Sequence, residues 1–585
     1  MKLIARILLC IGVCGMSTSF AHAASCGGGP YFTYTSTDFT NALNCANPGD
    51  TIYLHAGSTF NGPFQLPAKT QTSLPQYITI TTDAPVASST QPYGPGVLPA
   101  AGVRVSPNDE AAMPTLTLAT SASAGSSVIT TATSASYYQF IGVEITTPIY
   151  VYNLVLIGTG SEKSASALPH HIRFDRSYIH GNLAFGTRRG IAANGGQGIP
   201  SGATTNLSTG SVEDLVFINS YFAGFNDPNA DSQAIMSWNG YGPFKIINNY
   251  IEAAGENVMF GGSDPAIRNL VPSNITIENN HFYKPMAWMA DSSKWVKNLF
   301  ELKNAQDVWI QNNVFENNWA NQQNGMGILF TPRNQNGTAT WSVVQRVTFV
   351  GNIIRNTPGG FNVLGYDDIH RSQQLNNVTI QNNLLLNIGH YYYVSPSNVT
   401  YDSCANHPNQ CGRMMEIENA TNTVWYDHNT SFNSYDAAAS SQMMQTGGGV
   451  TYSVEKPNQN FQMTNNVVVH GYCASSGTSS NYCGMSGDSQ QPGDPAISSY
   501  FTSPVSISYN VMYNGNEAGA YTYNSATLGV TNNSFPGPQG GDPVFSPDYT
   551  QTTYFQSDNV TPLGINSTVW PIYSTVVQVT SDGGR

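Results

Sequence analysis

Phe244-Lys-Ile-Ile-Asn-Asn-Tyr-Ile251, Ile275-Thr-Ile-Glu-Asn-Asn-His-Phe282 and Val308-Trp-Ile-Gln-Asn-Asn-Val-Phe315 are one phrase written three times. Each is a short alternating strand that breaks at a pair of asparagines. Looser copies stand at Leu215–Phe222, Val347–Ile354, Val378–Leu385, Val424–Phe432, Phe461–Val468 and Ile507–Tyr513. Recurrence at a few tens of residues marks a solenoid, and the two-residue alternation makes its units strands. Asn tolerates the left-handed backbone of a sharp turn. An inward Asn side chain carries both a donor and an acceptor, so stacked copies can satisfy one another. Asn249, Asn280, Asn313, Asn352 and Asn383 are therefore read as structural.

Composition agrees. Only 10% of the 585 residues are charged and 55 are Gly, which suits short strands and tight turns. A single globular core stops growing below this length, whereas a solenoid adds core coil by coil. The formal charge of −13, from 35 acidic and 22 basic side chains, lacks the basic field a nucleic-acid partner requires.

Residues 1–23 read as a secretory signal peptide. Lys2 and Arg6 precede the apolar run Ile7–Val13, and Ala21-His-Ala23 has the small-x-small form of a cleavage site. That run is too short to span a bilayer and no later segment is longer, so an exported (secreted or periplasmic) chain with no integral membrane segment is expected. The six Cys beyond it fall into local pairs, Cys26 with Cys45, Cys404 with Cys411 and Cys473 with Cys483, expected as disulfides.

Thr37–Cys45 reads as a short amphipathic helix that Pro48-Gly-Asp50 ends, with Thr51–Leu54 as the first strand. A helix there would cover the open end of the strand stack. Residues 24–136 are expected to form this cap and irregular first coils, and 137–585 the regular coils of the same domain. Gly541–Phe545, Tyr554-Phe555 and Pro562–Gly564 look like a closing coil.

With its Asn-Asn turns, its Pro-Gly-Asp start and its Gly-Asp-Pro-x-Phe end, the chain resembles the pectin-lyase-like superfamily over roughly residues 30–565. The resemblance implies an all-β fold, a right-handed parallel β-helix solenoid with an N-terminal capping helix. That fold hosts lyases, hydrolases, epimerases, adhesins and tailspikes, so chemistry must be read from the site.

A second strand set precedes the Asn-Asn set: Ile235–Gly240, Val258–Ser263, Leu299–Asn304, Leu329–Asn334, Val363–Asp368 and Met414–Asn419. If Phe300 and Leu302 face the core, Glu301 and Lys303 face out. Aligned end to end, the fifth positions form a column of Asn239, Gly262, Lys303, Arg333, Asp367 and Glu418. Lys303 beside Arg333 is an unfavourable neighbour pair unless something anionic sits there. A surface ion-pair ladder with Glu301 and Asp367 is the plain reading, and an acidic-sugar site is the sharper one. Five of the eight Trp lie between Trp288 and Trp341. Trp288 and Trp295, in a loop with Lys284, Lys294 and Lys297, are the better sugar platforms.

Eliminating a uronate polymer requires neutralising the carboxylate and placing a base at the adjacent C–H. Lys303 is the expected base and Arg333 the acid or carboxylate clamp. Asn239, Asp367 and Glu418 would line the groove, and Glu256, Glu301 and Asp264 supply oxygens for Ca²⁺. This arrangement resembles the chondroitinase-B and alginate-lyase branch, whose members carry Lys-Ser and Arg-His-Gly on successive coils around Ca²⁺. The matching positions here are Lys303-Asn304 and Arg333-Asn334-Gln335, so the charges match and their companions differ. A glycoside hydrolase built on Asp367, Asp368, Glu416 and Glu418 is the alternative enzyme, and a non-catalytic glycan-binding β-helix the alternative class. A monomer acting on polysaccharide is expected.

Overall fold

The computed structural model describes residues 26–198, 214–406, 411–433, 442–447, 457–469, 484–487, 493–513 and 525–533. The signal segment and the closing-coil motifs lie outside the described residues. Within them the chain winds through three all-parallel sheets of 15, 13 and 12 strands, here sheets 1, 2 and 3. One coil runs from Leu215–Ile218 in sheet 1 through Tyr221–Phe225 in sheet 2 to Gln233–Ser237 in sheet 3. Phe244–Ile247 then returns beside its predecessor in sheet 1. The expected right-handed parallel β-helix is what forms, in the sense that parallel crossovers take.

Alternation drives it. Phe217, Ile246, Ile277, Ile310, Phe349 and Ile380 lie in one register column and are all fully buried. Aromatic neighbours stack between rungs, as Phe140 on Phe174 at 4.8 Å and Phe282 on Phe315 at 4.4 Å. Each such side chain contributes about 1.5–3 kcal/mol of burial.

The asparagines divide the turn's two tasks between them. The first of each pair, Asn248, Asn279, Asn312 and Asn382, takes the left-handed backbone. The second stacks. Asn249, Asn280, Asn313, Asn352, Asn383, Asn429, Asn466, Asn510 and Asn533 form a ladder in which each Oδ1 accepts from the preceding Asn's backbone N–H and Nδ2.

The helix at the open end is α1, Ser36–Cys45, with a Thr35/Asp38 capping box and Phe39, Ala42 and Leu43 buried. The first strand is Tyr31–Thr33, not Thr51–Leu54, and it pairs with the latter. In the early coils Thr59–Gly62 and Phe64–Leu66 already pair in sheets 2 and 3. What obscured them is a long excursion between Thr82 and Thr115. It packs Leu98, Val105, Ala112 and Met113 against Tyr178 and Tyr221 as a strap. Along the strap, the Pro99 carbonyl accepts from Arg176, Val105 N–H donates to the Asn219 carbonyl, and Arg104 donates to the Asn248 and Asn279 carbonyls. Those four residues occupy the left-handed turn position of four consecutive coils.

Cys26–Cys45 and Cys404–Cys411 form disulfides, as expected. The third expected bridge, from Cys473 to Cys483, is not among the disulfides of the described residues, because Cys473 and Cys483 both lie outside them. Among the described residues no helix is long and apolar enough to cross a membrane.

Candidate functional site

The outer face of sheet 3 carries a run of buried polar and charged groups, and the register there corrects the expected column. Val258 pairs with Phe300 and Phe300 with Ile328, so Met259, Glu301 and Leu329 are level. End-to-end alignment of the segments places Leu299 opposite Val258 instead. The reason is local: Leu299 and Phe300 both point into the core, as do Met414 and Met415. A strand that bends into the sheet with two adjacent inward residues breaks simple alternation. Asn239, Gly262, Lys303, Arg333, Asp367 and Glu418 are therefore not one column. Two other rows exist, three residues apart along each strand. Arg189, Gln233, Glu256, Asn298, Met326, Gly359 and Arg413 make the first. Ala192, Met236, Met259, Glu301, Leu329, Asn362 and Glu416 make the second.

Contacts run along and between the rows. Asn298 Nδ2 donates to Glu301 Oε2 at 3.1 Å and Gln233 Nε2 to Glu256 Oε2 at 2.7 Å. Lys297 Nζ reaches Asp231 Oδ2 at 2.5 Å and Glu256 Oε1 at 3.5 Å. Burial drives the Glu256 carboxyl above its ordinary range, against the opposing pull of Lys297. Burial lowers the Lys297 ammonium, but Glu256 and Asp231 outweigh it and hold the group above the ordinary lysine value. Just before Glu256, the Ala253–Gly255 turn wraps the buried Lys284 ammonium, which donates to three carbonyls and Asn257 Oδ1 at 2.7–3.0 Å. Burial pulls Lys284 down to about 7.

Lys303 follows immediately. Its Nζ lies 3.5 Å from Glu301 Oε1, and its carbonyl accepts the Arg333 N–H at 2.8 Å. Lys303 and Arg333 thus occupy neighbouring rungs, and both side chains retain exposure, 13% and 26%. On the preceding rung Gly261 lets Lys303 sit close: a Cβ there would meet Lys303 Cβ at 2.8 Å, at a φ of +97°. The Arg333 guanidinium lies between Asp367 and Asp368.

Other expected site residues have structural employment. Asp264 accepts from the Asn336 and Thr338 N–H groups and the Thr338 hydroxyl, closing a loop beside Arg333 rather than joining Glu256 and Glu301. Asn239 is fully buried and accepts from Ile267 N–H, so it turns inward instead of lining a groove. Asp367 is buried, accepting from the Asn334 and Ile369 N–H groups, and Glu416 is held by Arg413, Asn324 and Asn362. Those bonds occupy two of the four carboxylates of the hydrolase alternative; Asp368 pairs with Arg333, and Glu418 sits half-buried opposite Leu364. Trp288 is no platform: it packs with Ala254, Val296 and Trp319, under Lys294 at 5.6 Å. Trp295 keeps partial exposure.

Two oxygens in this cluster lack a hydrogen bond, one of them facing Lys297 at 3.5 Å. Glu256 Oε1 and Asn298 Oδ1 are buried without a hydrogen bond, on adjacent rungs, with the Glu301 carboxylate beside them. Hard oxygen donors of this kind fit Ca²⁺. Asn298 was not legible as a ligand in a chain so rich in Asn. A separate grouping, His390 with Cys404 and Cys411, is accounted for by the disulfide and by Asp402, 3.1 Å from His390 Nδ1.

No family model matches the chain, and no curated protein does. Among solved structures it is similar to the PL6 family alginate lyase AlyGC, at 13% identity and a TM-score of 0.44, over 93% of this chain. The chain spans 57% of that protein's length. An alginate lyase from Paenibacillus sp. str. FPU-7 matches at 15% identity and TM-score 0.30, over 67% of this chain and 94% of that one. The PL6 family polysaccharide lyase Pedsa3628 from Pseudopedobacter saltans matches at 12% and 0.25, over 92% and 99%. At such values the likeness carries no argument about chemistry. The sheets themselves establish the architecture: a parallel β-helix.

Proposed function

We propose that this protein is an exported polysaccharide lyase that cleaves an acidic, uronate-containing glycan by β-elimination on the outer face of sheet 3. The observation that carries the reading is Lys303 and Arg333 on neighbouring rungs, both partly exposed, Lys303 beside Glu301 and Arg333 beside Asp367 and Asp368. In elimination the C5–H bond and the C4–O bond break, a C4=C5 double bond forms, and the leaving oxygen takes up a proton. Lys303 is the group that receives the C5 proton, with Glu301 at 3.5 Å orienting it. Arg333, steadied by Asp367 and Asp368, offers its remaining N–H groups to the substrate carboxylate. Glu256, Asn298 and Glu301 would hold Ca²⁺, which when bound adds positive charge to neutralise that carboxylate.

The test is incubation of the mature protein with alginate, pectate and glycosaminoglycans, with and without Ca²⁺, reading ultraviolet absorbance from unsaturated chain ends. Product from one of them, abolished by Lys303→Ala, is the expected result. Binding without any unsaturated product would instead make the protein a glycan-binding β-helix.

A further inference from the structure

The first outward row of sheet 3 begins with a charge that no described residue pairs with. Arg189 stands opposite Gln233, which stands opposite Glu256, so the backbones of Arg189 and Glu256 lie two rungs apart, and the Gln233 amide bridges their side chains, accepting from Arg189 and donating to Glu256. Its Nε donates to Gln233 Oε1 at 3.0 Å and contacts Met236 Sδ at 3.2 Å, and Nη1 reaches Asn153 Oδ1 at 3.5 Å. Among the described residues Nη2 has no acceptor, and no carboxylate stands within ion-pairing distance of the group. The two nearest carboxylates are committed elsewhere: Asp231 and Glu256 both hold Lys297. Arg188, next in the chain, adds a second positive charge. The Trp238 indole lies with its centroid 5.7 Å from Arg189 Cζ and is partly exposed.

A desolvated cation without a counter-ion is costly, and a ligand anion placed against it recovers that cost. Burial, followed by Arg188, pulls this guanidinium down to about 10, against the weaker opposing pull of Glu256 and Asp231. Arginine's planar fork suits a carboxylate, and the partly exposed indole of Trp238, whose Nε1 is held by the Gly160 carbonyl, suits the apolar face of a sugar ring.

We propose that Arg189, with Trp238 and Met236 beside it, is a distal subsite that binds a uronate carboxylate of an acidic glycan lying along the helix axis. The inference rests on the acidic-glycan groove proposed above and adds its length and direction. Rungs repeat about every 4.8 Å, comparable to the advance of one sugar in an extended 1,4-linked polyuronate. Arg189 lies three rungs from the strand of Glu301, so a chain engaging both ends of the site must be at least about four sugars long.

The experiment measures calorimetric binding of mannuronate and galacturonate dimers and hexamers to Lys303→Ala protein with and without Arg189→Gln, with cellohexaose as the neutral control. Thermal melting of each variant reports folding, and Arg189→Lys separates charge from fork geometry. Arg189→Gln is expected to weaken at least one hexauronate by about tenfold or more, the loss of one charge-assisted contact, while leaving dimers within about twofold. Arg189→Lys should fall between. Unchanged hexauronate binding in a folded Arg189→Gln protein would overturn the subsite, as would equal weakening of dimers or no binding of any uronate oligomer. If binding depends on Arg189 but the parent protein releases no unsaturated product, elimination falls and the subsite stands. If product forms and Arg189→Gln changes nothing, the subsite falls and elimination stands.

Discussion

Replacing Asn313 with Ala tests whether the asparagine ladder holds the coils together. The Asn313 side chain is fully buried and takes part in five hydrogen bonds. Its Nδ2 donates to the Ile277 carbonyl, the Gln311 carbonyl and Asn352 Oδ1, each at 3.0 Å. Its Oδ1 accepts from the Asn280 N–H and Asn280 Nδ2, both at 2.9 Å. Several partners keep another bond after truncation: Asn352 Oδ1 still accepts the Asn313 N–H, and Asn280 Nδ2 still donates to Ile246. The Asn280 N–H loses its partner inside the stack, and the Ile277 carbonyl loses one of its donors. A buried orphan costs about 1–3 kcal/mol, so with the lesser losses the substitution should cost about 3 kcal/mol. In a solenoid that cost falls on the affected coil and its neighbours, so a global melting curve is the wrong instrument. Native-state hydrogen exchange is the right one. Amides between 277 and 313 should lose protection by about a hundredfold, with distant coils unchanged. Asn312→Gly, at the adjacent left-handed position (φ 56°), should change little, because glycine adopts that backbone readily. Exchange within about threefold of the parent across 277–313 would refute the ladder as a source of stability.

Glu252 makes stability depend on pH. Burial raises its carboxyl from 4.5 to about 7, so between those values the folded protein holds a proton that the unfolded chain has lost. Stability should therefore fall as pH rises through that window, by up to about 3 kcal/mol, and Glu252→Gln should flatten this part of a pH series of denaturation curves. Asp264→Ala removes three bonds to residues 336–338. It should speed exchange in that loop and, if Arg333 serves the proposed reaction, raise KM for polymer more than it lowers kcat. Thr35→Ala breaks the capping box of α1 and should cost about 1 kcal/mol, read as faster exchange in residues 36–54.

The fold was legible because its units are local. A strand of two-residue alternation and an Asn pair occupy eight successive residues, and both jobs foreseen for the asparagines, turning and stacking, are observed. The neighbouring positions of Lys303 and Arg333 were legible for a similar reason, as each sits just past a recognisable strand. The register of sheet 3 was not. Leu299 and Phe300 are both apolar, and only the bend in the strand sends both inward. The work of Asp264 was hidden as well, since its partners lie 72 to 74 residues downstream. Trp288 looked like a surface residue because the loop that carries it is polar; its burial depends on Ala254 and Trp319 from other coils. Arg189 drew no attention because its lack of a partner is a property of the folded neighbourhood.

The strap between Thr82 and Thr115 leaves the molecule early in the chain and fastens to turns as far along as Asn279. On a ribosome, its last anchor does not exist until 175 residues beyond Arg104 have emerged and coiled. The amino-terminal end is therefore sealed late, from the inside of the sequence outward. Once sealed, the coils that carry Arg176, Asn219, Asn248 and Asn279 are bolted in series, so none of the four opens alone.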